Sequence, residues 1–221
     1  MRTLFVNGLA LLIFGATSTA ACSRADGRDQ NSAAKPLAAD SITTKADLGR
    51  IQGSPSAKVW VVEISDFQCP YCKEWHDQTY PMVRDEFVKT GKIRLAYVNF
   101  PLSQHDHAMQ ASQAAMCTAM QGKFWDMQDS LFATQTQWEM LPNPAQFFES
   151  LATKVGVNIP QWRSCLGSKS IKDLIDADLD RAKRAGVQST PSFIVGGKLI
   201  EGARPPDAMR LAINQALGVK P

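Results

Sequence analysis

Residues 58–65 carry the clearest pattern in the chain: after Lys58, the run Val59-Trp60-Val61-Val62-Glu63-Ile64-Ser65 is almost continuously apolar and β-branched. A run without alternation predicts a strand buried on both faces of an α/β sheet. Over 70–89 the apolar residues Trp75, Tyr80, Val83, Phe87 and Val88 recur at helical spacing, and Gly91 closes the segment. A second strand follows at 92–100, with Ile93, Leu95, Ala96, Tyr97 and Val98, so this stretch predicts a βαβ unit. From 105 to 185 the pattern is almost wholly helical, in segments separated at Gly122, Pro142 to Pro144, Gly156, Pro160 and Gly167. Two short apolar runs, 192–195 and 198–201, are joined by Gly196-Gly197, a strong signal for a tight hairpin. Pro205, Pro206 and Asp207 open a last helix through Ala216, with Gly218 beyond it. The expected organisation is βαβ over 48–104, a helical block over 105–185, and ββα over 186–221.

The amino-terminal part differs. Residues 1–21 carry one charge at Arg2, an apolar run from Leu4 to Phe14 and a small-residue tail, which predicts a cleaved export signal. Asn7, Gly8 and the polar tail leave too few apolar residues for a spanning helix, which needs about 20. The stretch Thr19-Ala20-Ala21-Cys22 resembles a bacterial lipoprotein processing site, with Thr19 where Leu is usual. That resemblance implies lipidation of Cys22; ordinary cleavage near Ala20 or Ala21 would instead leave Cys22 a free or intermolecular thiol. Residues 22–47 are polar and small, too poor in apolar surface to order themselves, and are expected to form a flexible tether that has room for a short helix around 35–45.

Composition narrows the function classes. The 221 residues are 44% hydrophobic and 20% charged, as in a globular protein. With 24 Lys plus Arg against 21 Asp plus Glu and no block of like charge, no nucleic-acid footprint is present. Five cysteines is an odd count, which sets one apart from the rest.

Cys69-Pro70-Tyr71-Cys72 sits where the first strand meets the first helix. Two thiols at this spacing can close a disulfide. The helix start offers unpaired N–H groups and partial positive charge to the first sulfur, stabilising its thiolate and shielding the second. That makes Cys69 attackable when oxidised and a good leaving group in exchange, and Pro70 fits the first turn, where its missing N–H costs nothing. Haem attachment would need His after Cys72, where Lys73 stands. Zinc could take Cys69, Cys72 and His76, but no fourth ligand is evident, and no metal or cofactor is expected. Glu63, a lone carboxylate six positions before Cys69, is either a surface or edge residue, or a buried acid able to exchange a proton with Cys72. His76 and His107 are expected in solvent, and His105 in a packing or capping role near a helix start. Phe124, Trp125, Phe132, Trp138, Phe147, Phe148 and Trp162 are expected to form the core of the helical block.

These residues reach a family. The run from Glu63 to Cys72, Phe100-Pro101-Leu102 with His105, Gln121-Gly122-Lys123-Phe124-Trp125, and Gly186-Val187-Gln188-Ser189-Thr190-Pro191-Ser192-Phe193 together resemble the DsbA-like thiol:disulfide oxidoreductases. The resemblance implies an α/β fold, the thioredoxin-like fold with an inserted all-helical domain. It implies that Cys69 is the nucleophile, Cys72 the resolving thiol, Glu63 the buried acid, and Thr190-Pro191 a cis-proline loop that, with Pro70 and Tyr71, meets substrate. Family members often carry a second bridge in the helical domain, and export favours oxidation, so Cys117 and Cys165 are expected to pair; the competing arrangement is two buried free thiols. The best-known oxidases of the family carry His where this chain has Tyr71, and the missing charge predicts a milder oxidant.

The expected activity is that of an exported, monomeric oxidase of the bacterial envelope or periplasm, acting on cysteines of unfolded or partly folded envelope proteins. The resemblance implies regeneration by a membrane quinone-linked thiol oxidase of the DsbB or vitamin K epoxide reductase type. Two other readings stand beside it. An isomerase or reductase of the same fold usually has an amino-terminal dimerisation domain, for which 23–47 is too short. A copper- or zinc-binding protein would use the same two thiols as ligands.

Overall fold

The computed structural model describes residues 41–219. The expected leader at 1–21, Cys22 and the expected tether up to residue 40 lie outside these residues. In chain order the elements are helix α1 (Ser41–Gly49), strands β1 (Ile51–Gly53) and β2 (Val59–Ser65), helices α2 (Pro70–Gln78) and α3 (Tyr80–Val83) with a π-helical turn over Arg84–Val88, and strand β3 (Ile93–Asn99). Helices α4 (Ala108–Ala119), α5 (Phe124–Ala133), α6 (Gln135–Trp138), α7 (Ala145–Lys154), α8 (Ile159–Leu166) and α9 (Lys169–Arg184) follow, then β4 (Ser192–Val195), β5 (Lys198–Glu201) and α10 (Pro206–Ala216).

One five-stranded sheet has the order β1-β3-β2-β4-β5. The central strand β2 pairs in parallel with β3, Glu63 opposite Tyr97, and antiparallel with β4, Glu63 opposite Phe193. The hairpin β4-β5 turns at Gly196 and Gly197, whose φ values of 55° and 87° suit glycine in the two-residue turns that match strand twist. Val61, Trp75, Val83, Leu95, Phe193 and Ile213 form one core between the sheet, α2, α3 and α10. A second core lies under the helical insertion around Phe67, Tyr97, Phe124, Phe132, Trp138, Phe148 and Trp162. Most of the aromatic set expected in the insertion is therefore core, while Trp125 and Phe147 are only partly buried. The indoles of Trp138 and Trp162 donate to the carbonyls of Leu131 (2.9 Å) and Ala114 (3.1 Å), so their polar ends are paired inside.

Three sequence expectations need correction. The single helix over 70–89 is broken at Thr79, because Pro81 has no N–H for the carbonyl of Asp77. The helical block starts at Ala108, three residues after His105. Residues 41–47, expected in the tether, belong to α1, which buries Thr43 and Ala46 and packs on α4 and α9. Its end is tied down over long range. Gly49 lies so close to α4 that a Cβ would sit 2.1 Å from the Ala119 carbonyl oxygen. Next to it, buried Arg50 grips buried Asp178, with Nη2 to Oδ1 at 3.0 Å, and Asp178 also accepts from Asn99 Nδ2 at 2.9 Å.

Within the insertion Cys117 on α4 and Cys165 on α8 are joined by a disulfide, with Cα atoms 5.7 Å apart. The bridge closes a loop across 48 positions, worth at most about 4 kcal/mol through lost unfolded-state entropy. Replacing both cysteines by alanine should lower the urea midpoint and, by releasing the cross-link from the unfolded chain, raise the denaturant slope, and an unchanged midpoint would contradict this.

Candidate active site

At the carboxyl end of β2 the chain turns through Asp66, Phe67 and Gln68 and enters α2 with Cys69 at the N-cap and Pro70 in the first turn. Cys69 keeps extended backbone angles, and its sulfur meets the N–H groups of Tyr71 and Cys72 at the helix start. Cys69 is 4% exposed and Cys72 is fully buried, whereas Pro70 and Tyr71 between them lie open to solvent. Both cysteines are free thiols. The Cys69 thiol donates to the Thr190 carbonyl oxygen at 3.5 Å, and the Asp66 N–H donates to the Cys72 sulfur at 3.5 Å. The Thr190-Pro191 peptide is cis and lies directly before β4. The structure thus brings Cys69, Cys72, Thr190 and Pro191 to one end of the sheet, with Pro70 and Tyr71 on the outer rim.

The two sulfurs are electrostatically unequal. The hydrogen bond from the Cys72 thiol does most to lower Cys69, to about 6, with Thr190 and the N–H groups of Tyr71 and Cys72 adding to it against the cost of burial. Cys72 is pushed well above the ordinary thiol value, first by burial and then by its neighbour's hydrogen bond and charge. One sulfur is therefore prepared as a thiolate and the other as a protonated thiol.

Glu63 lies in the central strand, fully buried, not at an edge or on the surface. Burial raises its pKa to about 7, opposed by the charge of His76 and by hydrogen bonds from Gln128 and Ser65. Gln128 on α5 reaches both carboxylate oxygens, at 3.3 and 3.4 Å. His76, expected in solvent, is buried one helical turn after Cys72, bonded to Asp129 at 2.9 Å and stacked on Tyr80. This turns it away from the role of third metal ligand, and among the described residues no group of three or more His, Cys, Asp or Glu side chains is arranged to hold a metal ion. His107, also expected in solvent, is half-buried and donates from Nε2 to the Leu141 carbonyl at 2.8 Å. His105 caps no helix; its Nδ1 donates to Asp66 Oδ2 at 2.7 Å.

Three site residues escaped the sequence reading. Asp66 accepts from the N–H groups of Gln68 (2.7 Å) and Leu102 (2.9 Å), tying the loop before Cys69 to the loop after β3. Gln135 donates to the carbonyls of Phe67 (2.7 Å) and Cys69 (3.1 Å), and Gln128 holds Glu63. Asp66 had a visible signal, a charge among apolar residues next to a Cys-x-x-Cys motif. The two glutamines had none, because amides are unremarkable on a helix of mixed polarity.

Comparison with known proteins decides the family. The family described as Thioredoxin matches residues 45–215. Over 174 residues the chain is 33% identical to "Probable disulfide bond formation protein D" of Bacillus anthracis, covering 75% of this chain and 76% of that protein. The chain belongs to the thioredoxin family, with the disulfide bond formation proteins among its relatives. It is a thiol:disulfide oxidoreductase. Its fold is that of oxidised BdbD from Bacillus subtilis (TM-score 0.69, 23% identity, 77% of this chain and 94% of that one) and of alpha-DsbA1 from Wolbachia pipientis (TM-score 0.69, 19% identity, 76% and 90%). Na(+)/H(+) antiporter NhaA 3 of Salinispora tropica matches at 32% identity over 79% of this chain but 26% of its own length, a likeness to part of a larger protein.

Two measurements follow for the DsbA-like site. Thiolate absorbance of the reduced protein should titrate as a single group with a midpoint near 6, assigned to Cys69 by its loss in Cys69→Ser, and a midpoint above about 8 would contradict the geometry. Glu63 has a folded value above its unfolded one, so the stability it allows at low pH is lost as pH rises through about 7. Glu63→Gln should therefore gain about 2 to 3 kcal/mol more at pH ~8.5 than at pH ~5 in urea unfolding, and an equal effect at both would contradict a buried acid.

Proposed function

We propose that the protein is an exported disulfide oxidase of the bacterial envelope, which uses Cys69 and Cys72 to pass a disulfide to unfolded or partly folded proteins. The observation that carries this is the inequality of the two sulfurs: a stabilised Cys69 thiolate favours the reduced form of the enzyme and so makes its disulfide a good oxidant.

In the forward reaction a substrate thiolate attacks Cys69 Sγ of the Cys69–Cys72 disulfide. The S–S bond breaks, Cys72 takes the electron pair, and Glu63 supplies the proton that Cys72 needs at its high pKa. A second substrate thiolate then attacks the substrate sulfur of the mixed disulfide and expels Cys69 as a thiolate. The substrate is oxidised by two electrons and the enzyme pair reduced by two. Thr190, with its carbonyl against Cys69, and Pro191 offer the backbone beside which an extended substrate segment would lie, while Tyr71 and Pro70 form the exposed rim it first meets. Reoxidation is assigned to a membrane quinone-linked thiol oxidase of the DsbB or vitamin K epoxide reductase type. The leader-like residues 1–21 support export, and Cys22 is the position for a lipid anchor.

The purified protein should be equilibrated in glutathione buffers and its Trp fluorescence read. A potential between about −180 and −120 mV is expected, that of an oxidant milder than DsbA itself; a value at or below about −230 mV would replace this reading with a reductase.

A further inference from the structure

Tyr71 brings no charge to the thiol pair, yet a titratable cation stands close by on another segment. Asp66, fully buried three residues before Cys69, organises the active-site loop by accepting from Gln68 N, Leu102 N and His105 Nδ1, while its own N–H donates to the Cys72 sulfur. A carboxylate is suited to that task because it accepts several bonds at once. Asp66 also sets a buried carboxylate in the turn that holds Cys69, whose N–H donates to the Asp66 carbonyl at 3.1 Å, and like charges at short range disfavour ionisation. His105 is the group that can cancel it. The imidazole sits in the loop between β3 and α4, 2.7 Å from Asp66 Oδ2, with its side chain 18% exposed and so in proton exchange with solvent.

We propose that His105, held by Asp66, sets the oxidising strength of the Cys69–Cys72 pair by supplying from a distant loop the positive charge that Tyr71 lacks. His105 is a positioning residue here, acting on Cys69 through charge and through Asp66. The proposal deepens the oxidase reading and rests on it only in concerning the same two sulfurs.

The groups that act on His105 all favour its cation. Its value is raised first by the hydrogen bond to Asp66, against the cost of burial, and further by the charges of Asp66, Cys69 and Glu139. The Cys69 thiolate and the His105 cation therefore stabilise each other, and linkage makes the effect reciprocal. As the imidazole's value is raised, its contribution is complete at low pH and fades as pH rises through that value, leaving Asp66 uncompensated beside the thiols.

Reciprocity gives a test that a packing role would not pass. In proton NMR of the whole protein, the His105 ring signal, assigned by its loss in His105→Gln, should titrate at higher pH in the dithiol form than in the disulfide form. Equal midpoints overturn the proposal. In glutathione equilibria near neutral pH, His105→Gln should make the pair less oxidising by roughly threefold to tenfold in the equilibrium constant, about 15 to 30 mV for this two-electron couple, and His105→Lys should restore it. In an Asp66→Asn background the same His105→Gln change should have little effect, since the imidazole is no longer held charged. If Asp66→Asn does not fold, the NMR midpoints decide alone. A reducing wild-type potential with the variant shift intact would reject the oxidase reading and uphold this one, whereas an oxidising wild type that His105→Gln leaves unchanged would do the reverse.

Discussion

The position of β2 between a parallel and an antiparallel partner determines where the rest of the site can form. Parallel pairing brings the carboxyl ends of β2 and β3 to one edge of the sheet, and antiparallel pairing brings the amino end of β4 to that same edge. The chain leaving β2 becomes Cys69 and α2, the chain leaving β3 becomes the loop with His105, and the chain entering β4 is Thr190-Pro191. Cys69 and Thr190 touch across 121 sequence positions, and Asp66 and His105 across 39, because the ends of three strands meet at one place. No local propensity could produce that convergence.

Three buried carboxylates show how differently one fold can accommodate a charge. Asp178 is held by Arg50 and Asn99 and serves to lock α1 onto the insertion. Asp66 accepts two backbone N–H groups and an imidazole, so its charge is shared with the loops it organises. Glu63 meets the Gln128 amide and the Ser65 hydroxyl, with the charges of His76 and Asp129 acting in opposite senses, and burial raises its pKa to about 7. The first two arrangements suit structural ions and the third suits a proton carrier, because burial costs are met by partners in one case and by protonation in the other.

What was legible in the sequence was what local spacing and residue type decide: the β-branched run of β2, the Gly-Gly hairpin, the helical insertion and the Cys-x-x-Cys motif at a helix start. What was not legible depends on contacts between distant segments. Helix α1 is polar and short, and it is ordered because Ala46 and Arg50 find partners far along the chain. His76 looked like a surface residue of an amphipathic helix until the insertion folded over it and Asp129 met its ring. The same holds for Gln128 and Gln135, whose importance comes from the strand and loop they face.

The Cys117–Cys165 bridge has a consequence for a protein whose trade is sulfur exchange. Exposure does not separate the two sites, because Cys165 and Cys69 are equally exposed at 4%. Thiolate stability does: Cys69 stands at the N-cap of α2, whereas Cys117 and Cys165 lie in the last turns of α4 and α8, where the partial negative charge of the helix end makes each a poor leaving group in exchange. The molecule thus keeps one disulfide as currency and another as masonry, and substrate traffic at the first leaves the second untouched.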